Sequence, residues 1–328
     1  MTKIILMEYP ESADRDIQTE RNYLPKDAKV EVAVYDEACP DTFYKAIEDA
    51  DAVITGYVPV DKKVIDAMKK CKVISVQATG WNFVDVDYAE EKGIAVCAVG
   101  EYCTQEVADH TLMLILALCK TLPYLSRRIN KDRVWEIETL KEKNIRRIEG
   151  QTLGIMGYGR IGRAVAKRAL AFGMKILAYD PYIPESVAQE TGAELVDMDT
   201  LLESSDIITV HMNLTSENQS FFNKTVFAKM KKQPFLINVA RGGVIDEDDL
   251  VEALDNGILR GAGLDVLGSE SPNLQENSLV NRENVILTPH SAFFSDDSIE
   301  ACERISAENI VFYLNGEKDK VFRMVNKI

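Results

Sequence analysis

Few side chains in this sequence could exchange a proton near neutral pH, because only three histidines occur among 328 residues. His290 follows the last predicted strand, at the edge of a sheet where ligands bind. His211 ends an earlier predicted strand and is better explained as part of a cofactor-binding wall. His110 lies in an apolar helix, where a hydrogen-bonded core or interface residue is the simpler interpretation. The best candidate for a general acid and base is therefore His290.

Two charged residues that follow other predicted strands could act together with His290. Arg241 comes directly after a nearly apolar strand and precedes two glycines, so its guanidinium could form paired hydrogen bonds to a carboxylate. Glu270 lies five residues beyond Asp265, and a carboxylate beside an imidazole fixes its tautomer and favours its protonated form. A surface arginine and a solvated turn glutamate are the alternatives. Together the three side chains have the chemistry that a carbonyl reductase needs.

A glycine-rich turn predicts the binding of a dinucleotide. Gly157, Gly159 and Gly162 form a Gly-x-Gly-x-x-Gly pattern between a predicted strand and a predicted helix, whose free N-terminal amides can hold a pyrophosphate. Asp180 ends the next predicted strand, 18 residues after Gly162, and is placed to bind an adenosine ribose while repelling a 2′-phosphate. A solvated turn aspartate before Pro181 is the alternative. The pattern predicts NAD rather than NADP as the cofactor.

The first hundred residues alternate short apolar strands with amphipathic helical stretches, such as residues 41–50 and 61–70. The predicted strands are residues 3–7, 30–35, 52–55, 73–76 and 94–98. This alternation predicts a small parallel α/β domain of the flavodoxin-like kind.

A second series of strands follows a long predicted helix, residues 104–125. The centre of this helix, residues 112–119, is apolar on every side and must be buried in a core or against another subunit. The predicted strands of this series are residues 152–156, 175–179, 193–196, 207–211, 235–239, 261–266 and 285–288. Seven strands with short helical connections predict a doubly wound parallel sheet of the Rossmann kind. A final helix over 296–314 is expected to return to the first domain.

The composition excludes several classes of partner. The 53 acidic residues outnumber 38 Lys and Arg, and the net charge of −15 disfavours nucleic acid and anionic membrane surfaces, although one buried arginine can still bind an anionic substrate. The six cysteines form no Cys-x-x-Cys pair and no cluster at metal-ligand spacing, which predicts reduced thiols, no metal and a cytoplasmic location. The apolar runs are too short for a signal peptide or a membrane span.

Four linked motifs resemble the D-2-hydroxyacid dehydrogenase family in order and spacing, over essentially the whole chain. They are residues 152–162 around the glycine-rich turn, residues 238–246, residues 261–266 with Glu270, and residues 288–293. The resemblance implies a discontinuous substrate domain (1–101 and 293–328), an NAD-binding domain (102–292) and a cleft between them. It also implies a homodimer with an interface at residues 112–119.

The resemblance assigns roles by position. It makes His290 the acid and base, with Glu270 as its carboxylate partner. It makes Arg241 the ligand of the substrate carboxylate and carbonyl, and it places Asp265 opposite the nicotinamide carboxamide. The predicted cofactor site comprises Gly157, Gly159, Arg160, Ile161, Gly162, Asp180, His211, Met212, Asn218, Val239, Ala240, Arg241 and Asp265. The predicted substrate site comprises Thr79, Gly80, Tyr102, Arg241 and Phe293.

One position departs from the family pattern, because most members carry an arginine three residues before the loop glycine, where this sequence has Gln77. The residues after His290 resemble those of lactate and 2-hydroxyisocaproate dehydrogenases more than the glycine-rich segment common in phosphoglycerate and glyoxylate members. An aromatic lining from Trp81, Tyr102 and Phe293 suits an apolar 2-oxo acid. The predicted function is therefore reversible, NAD-dependent reduction of a 2-oxo acid to the D-2-hydroxy acid.

Two alternatives remain open from the sequence. An NAD(H)-sensing adaptor similar to the C-terminal-binding-protein corepressors would share the fold and the same charged residues, although the strong negative charge favours an enzyme. A 3-phosphoglycerate dehydrogenase-like biosynthetic enzyme would need several basic residues near the phosphate. Gln77 and the aromatic loop argue against that alternative.

Overall fold

A computed structural model describes all 328 residues, and the chain divides into two compact units. The first comprises Met1–Tyr102 and Ser295–Ile328, and the second comprises Cys103–Phe294. Each unit contains one parallel sheet, of five strands in the first and seven in the second. The predicted α/β fold class is confirmed. None of the helices combines the length and the apolar character needed to cross a lipid bilayer.

The regular elements alternate along the chain. The strands are β1 (Lys3–Glu8), β2 (Lys29–Val34), β3 (Ala52–Thr55), β4 (Val73–Val76), β5 (Ala95–Ala98), β6 (Thr152–Met156), β7 (Lys175–Tyr179), β8 (Glu194–Leu195), β9 (Ile207–Val210), β10 (Phe235–Asn238), β11 (Gly261–Leu264) and β12 (Val285–Leu287). The helices are α1 (Gln18–Tyr23), α2 (Pro40–Ile47), α3 (Lys62–Ala67), α4 (Val86–Glu91), α5 (Thr104–Cys119), α6 (Leu122–Asn130), α7 (Arg160–Ala171), α8 (Glu185–Glu190), α9 (Met198–Ser204), α10 (Lys224–Phe227), α11 (Glu247–Asp255) and α12 (Asp296–Leu314).

The sheet of the first unit has the order β2-β1-β3-β4-β5, and all neighbouring strands are parallel. This order is the flavodoxin-like one. Strands β3 and β4 are buried along their whole length, which is why they are continuous apolar runs rather than alternating ones. Helix α12 packs against α1 and β4, so the C-terminal segment completes the core of this unit.

The sheet of the second unit has the order β12-β11-β10-β9-β6-β7-β8 and is also entirely parallel. The direction of strand addition reverses between β6 and β9, and ligands of such sheets bind beyond the carboxyl ends of the strands at that point. Six strands lead into segments that carry predicted site residues: Gly157 after β6, Asp180 after β7, His211 after β9, Arg241 after β10, Asp265 after β11 and His290 after β12. The fold therefore gathers these residues at one edge of one sheet.

The prediction of a single helix over residues 104–125 is wrong, because the chain forms α5 and α6 there. Thr121 lies between them with a φ of 53°, a left-handed conformation that interrupts the helical path. The apolar centre of α5 packs against α7, β10 and β11 of its own unit. Burial within the unit accounts for this apolar surface, and residues 112–119 leave only Met113, 47% exposed, as an exposed large apolar side chain.

Several predicted boundaries extend beyond the observed elements. Predicted strands 261–266 and 285–288 end at Leu264 and Leu287, and the side chains of the next residues, Asp265 and Thr288, hydrogen-bond each other. Predicted strands 207–211 and 235–239 likewise stop one residue early, and 193–196 is reduced to the two-residue edge strand β8. Predicted helices 41–50 and 61–70 are α2 and α3, which end sooner.

Candidate active site

The turn between β6 and α7 requires glycine at two of its three glycine positions. Gly157 has a φ of 90°, and a Cβ there would lie 2.9 Å from the backbone oxygen of His211. A Cβ on Gly162 would lie 2.4 Å from the backbone oxygen of Gly157, so only glycine lets the helix pack this closely. Gly159 has open space on its Cβ side, which leaves the backbone accessible to a ligand. The turn is therefore a backbone cradle at the N-terminus of α7.

Asp180 is held against this cradle. Its Oδ2 accepts a hydrogen bond from the amide of Tyr158 at 2.8 Å, and its Oδ1 accepts one from the amide of Tyr182 at 2.9 Å. The Tyr158 side chain is fully buried, and its hydroxyl lies 2.6 Å from the Thr191 Oγ1. These contacts orient the Asp180 carboxylate beside the turn. The glycine motif did not predict that Tyr158 anchors this turn.

The imidazole of His211 is an unsatisfied polar group beside the same turn. Both ring nitrogens are buried and have no hydrogen-bond partner. Burial lowers the pKa of His211 to about 3, so the ring is neutral at physiological pH. The glycine cradle, the oriented Asp180 carboxylate and this orphaned ring together fit a bound dinucleotide.

The neutral ring of His211 makes the stability of the protein sensitive to acid. Because its pKa is depressed in the folded state, the unfolded chain binds one more proton as the pH falls below about 6.5. We expect the free energy of unfolding to drop by about 2 kcal/mol more in the wild type than in His211→Gln between pH 7 and pH 5. Urea titrations of both cofactor-free proteins measure this difference, and identical pH dependences would contradict it.

His290 and Glu270 form a hydrogen-bonded pair at the carboxyl edge of the sheet. The His290 Nδ1 lies 2.8 Å from the Glu270 Oε2, and both side chains are accessible to solvent. His290 has a φ of 50°, a left-handed conformation that is uncommon for a residue other than glycine. Its amide donates to the backbone oxygen of Asp265 at 2.7 Å, which holds the strained residue in place. With Nδ1 engaged by the carboxylate, Nε2 is the nitrogen left for a reacting group.

The buried carboxylate of Asp265 fixes the loop that carries His290. Its two oxygens accept hydrogen bonds from the amides of Ser291 and Ala292 at 3.0 and 2.9 Å and from the Thr288 hydroxyl at 2.5 Å. It is 1% exposed. The sequence implied only a contact with the nicotinamide for Asp265, and its role in holding the loop emerges from the fold.

His110 supports the same loop from α5. Its Nε2 lies 3.0 Å from the Thr288 Oγ1 and 3.5 Å from the Asp265 Oδ1. Burial lowers the pKa of His110, although the charge of Asp265 opposes this effect. Since the Thr288 hydroxyl already donates to Asp265, a neutral His110 donates its Nε2 hydrogen to Thr288. His110 is thus a hydrogen-bonded structural residue, in line with the simpler interpretation of its sequence context.

Arg241 presents a charge without a carboxylate partner. Its NH1 donates to the backbone oxygen of Ala240 at 2.7 Å, and no ion pair engages the guanidinium. The turn is held by the buried Asn238, whose Nδ2 donates to the Arg241 backbone oxygen at 2.9 Å. A Cβ on Gly242 would lie 1.8 Å from the Leu267 oxygen, which explains the glycine after the arginine. The arrangement leaves a cation at the sheet edge that can bind an anion.

The remaining predicted residues of the second unit lie along the same edge. Phe293 packs edge-on to the His290 ring, with centroids 6.3 Å apart. Asn218 uses its amide to close a loop, accepting from the Thr215 amide and donating to the Asn213 oxygen, both at 2.7 Å. The turns after β9 and β10 contain Met212, Val239 and Ala240, and helix α7 begins with Arg160 and Ile161.

Thr79, Gly80 and Tyr102 belong to the first unit, and their substrate-binding roles stay predictions from the sequence. The structure shows the contacts of two residues near Thr79 and Gly80, namely Gln77 and Trp81. Gln77 donates from Nε2 to the Glu20 Oε1 at 2.9 Å and to Ser306 at 3.0 Å, so it is part of the packing of this unit.

Trp81 packs against the apolar core of the first unit. Its ring lies under the guanidinium of Arg323 at 4.4 Å. One face of the ring is therefore covered by a cation, and the contribution of Trp81 to an apolar lining stays a prediction from the sequence.

Comparison with known proteins places these features in a family context. Residues 112–292 match the family model described as D-isomer specific 2-hydroxyacid dehydrogenase, NAD binding domain. A hydroxypyruvate reductase of Blautia hydrogenotrophica is 36% identical over 284 residues, which cover 86% of this chain and 86% of that relative. A crystal structure of D-lactate dehydrogenase from Aquifex aeolicus, complexed with NAD and lactic acid, superposes with a TM-score of 0.85 at 28% identity and covers 99% of both chains.

A longer relative is also similar. D-3-phosphoglycerate dehydrogenase of Methanocaldococcus jannaschii is 38% identical over 301 residues, which are 90% of this chain. The match covers 56% of that relative, so the chain spans little more than half the length of that protein.

Proposed function

Because the chain belongs to the family of D-isomer specific 2-hydroxyacid dehydrogenases, we propose that it interconverts a 2-oxo acid and the D-2-hydroxy acid with NAD as cofactor. The observation that carries the proposal is the pairing of His290 with Glu270 at the same sheet edge as the unpaired Arg241. An acid and base beside a free guanidinium suits a substrate that has a carboxylate next to a carbonyl.

Each of the three side chains has a distinct task in this proposal. Arg241 binds the carboxylate and stabilises negative charge that develops on the carbonyl oxygen. His290 gives a proton from Nε2 to that oxygen during reduction and removes it during oxidation. Glu270 holds Nδ1 and so fixes the tautomer and the orientation of the ring. The cofactor, when bound, supplies or accepts the hydride at the substrate carbon.

The cofactor is held by the residues of the glycine cradle in this proposal. The amides of the turn and of the first residues of α7 bind the pyrophosphate, and Asp180 accepts hydrogen bonds from the adenosine ribose. Asp180 also repels a 2′-phosphate, which favours NAD over NADP.

The substrate side chain is proposed to be apolar, since Phe293 packs beside the imidazole of His290. A phosphorylated 2-oxo acid is the second candidate, because the Methanocaldococcus jannaschii relative is named a D-3-phosphoglycerate dehydrogenase. Among the residues proposed for the substrate site, Arg241 is the one cation, which favours a single carboxylate as the anionic group.

Oxidation of NADH, followed by its absorbance, tests the proposal against pyruvate, 2-oxoisocaproate, phenylpyruvate, hydroxypyruvate and phosphohydroxypyruvate. We expect the highest kcat/KM with an apolar 2-oxo acid. A preference for phosphohydroxypyruvate would establish the second candidate instead. NADH binding without turnover of any of the five acids would contradict an enzyme and favour a cofactor-sensing adaptor.

We also propose that the protein is a cytoplasmic homodimer. All six cysteines are free thiols, as in a reducing compartment. Large apolar side chains after α5 are exposed, among them Leu122 at 57%, Trp135 at 88% and Ile137 at 73%. Such side chains suit contact with a second copy of the chain. A monomeric mass in light scattering at micromolar concentration would contradict the dimer.

A further inference from the structure

The second unit has a cavity at the edge of its sheet opposite to the candidate active site. The cavity has a volume of about 440 Å³ and lies against residues that immediately precede or begin three strands. Gln151 precedes β6, Phe235 begins β10 and Arg260 precedes β11. Because all strands are parallel, these residues mark the amino edge, whereas Gly157 and His290 follow the carboxyl ends.

Positive charge at this cavity exceeds the negative charge that neutralises it. Lys143, Arg146 and Arg260 line the cavity. Arg260 donates to the backbone oxygens of Gln233 and Asp206 at 2.9 and 3.2 Å, and no carboxylate pairs with it. Burial, and next the neighbouring charge of Arg146, lower the pKa of the Arg260 guanidinium. The two guanidinium groups therefore repel each other across a partly desolvated space.

The available carboxylates are shared. Asp206 pairs with both Arg146 at 3.6 Å and Lys232 at 3.4 Å, and its charge also acts on Arg260, whose pKa it raises. Glu283 lines the cavity but is engaged by Lys143 at 3.0 Å and by Arg127. The remaining carboxylate of the lining, Glu142, is exposed and forms no ion pair. In a chain with a net charge of −15, this surplus of cations is a local exception.

A second observation points to a ligand with a hydrogen-bond donor. Gln151 lines the cavity and is 7% exposed. Its Nε2 donates to the Arg147 backbone oxygen at 2.6 Å, whereas its Oε1 is buried without a partner. An unsatisfied buried acceptor is unfavourable, and a hydroxyl of a ligand would supply the missing hydrogen bond.

We propose that this cavity binds a small phosphate ester that carries a hydroxyl group, with Arg146, Arg260 and Lys143 around the phosphate and Gln151 accepting from the hydroxyl. A phosphate monoester has a charge between −1.5 and −2 near neutral pH. Such a charge offsets the repulsion between the two guanidinium groups, and their planar geometry suits its oxygens.

The chain offers a matched pair of variants for the test. Arg146 and Lys232 both pair with Asp206, and both side chains are 43% exposed, but only Arg146 lines the cavity. Arg146→Gln and Lys232→Gln therefore each remove one positive charge that pairs with Asp206. Arg146 lies inside the proposed site and Lys232 lies outside it. Calorimetric titration with glycerol 3-phosphate, at constant ionic strength and with saturating NADH to fill the cofactor's phosphate site, measures the affinity of each protein.

We expect Arg146→Gln to weaken binding at least tenfold and Lys232→Gln to change it less than threefold. Equal losses would indicate diffuse attraction by net charge and overturn the proposal, as would the absence of binding to the wild type. Arg241→Gln serves as a control for the location, since binding that is lost in this variant would belong to the active site and also overturn it.

Further titrations test the phosphate and the hydroxyl of the proposed ligand separately. Malonate that binds as tightly as glycerol 3-phosphate would overturn the assignment to phosphate. Glycerol 3-phosphate should bind more tightly than inorganic phosphate, and Gln151→Met should abolish that preference. An unchanged preference in Gln151→Met would overturn the contact between Gln151 and the hydroxyl.

Discussion

Replacement of His290 by Asn should lower kcat for 2-oxo acid reduction about 10³-fold, because a general acid typically contributes a factor of about 10²–10⁴ and Asn cannot supply the proton. Asn is chosen because residue 290 has a φ of 50°, and Asn tolerates the left-handed region better than Ala does. The backbone hydrogen bond to Asp265 should therefore survive. Steady-state turnover at saturating substrate and NADH measures the effect.

The controls for this prediction separate chemistry from folding. The Kd for NADH, measured by fluorescence, should stay within about threefold of the wild type, since the glycine cradle and Asp180 lie at other strands. Glu270→Gln should lose less than the His290 variant, because an amide can still hold Nδ1 in place. Turnover of His290→Asn within tenfold of the wild type would remove His290 from the role of acid and base.

Replacement of Arg241 by Gln should lower kcat/KM for the 2-oxo acid about 10³-fold. The guanidinium has no carboxylate partner, so the substrate carboxylate is its proposed counterion and its loss removes a paired, charge-assisted interaction. A loss of about 4 kcal/mol in transition-state stabilisation corresponds to this factor. Initial rates over a range of 2-oxo acid concentrations give the value.

Arg241→Lys is the matched variant, since it keeps the charge but not the paired hydrogen bonds. Its kcat/KM should be about tenfold higher than that of Arg241→Gln, because a lysine ammonium binds a carboxylate as a point charge. Equal activity of the Lys variant and the wild type would show that charge alone is needed. Unchanged kcat/KM in Arg241→Gln would exclude a contact between Arg241 and the substrate.

Much of the fold could be predicted from local sequence because parallel strands are buried on both faces and appear as short apolar runs. The runs 52–55 and 73–76 coincide with β3 and β4, and helix α12 has the predicted bounds. The single helix over 104–125 could not be corrected from its pattern, because the left-handed Thr121 is a backbone property that apolar spacing does not encode. The hydrogen bond between the Thr288 hydroxyl and the Asp265 carboxylate could not be predicted either, because it joins residues 23 positions apart in the sequence.

The sequence by itself determined which residues follow the strands of the second unit, and therefore that Gly157, Asp180, Arg241 and His290 meet at one sheet edge. That inference needs only strand assignment and the rule that parallel strands align their carboxyl ends. The tertiary structure alone decided which charges are paired. It left Arg241 without a carboxylate, buried His211 without a partner and placed surplus cations at the amino edge. Pairing and burial depend on contacts between residues far apart in the chain, and no local pattern records them.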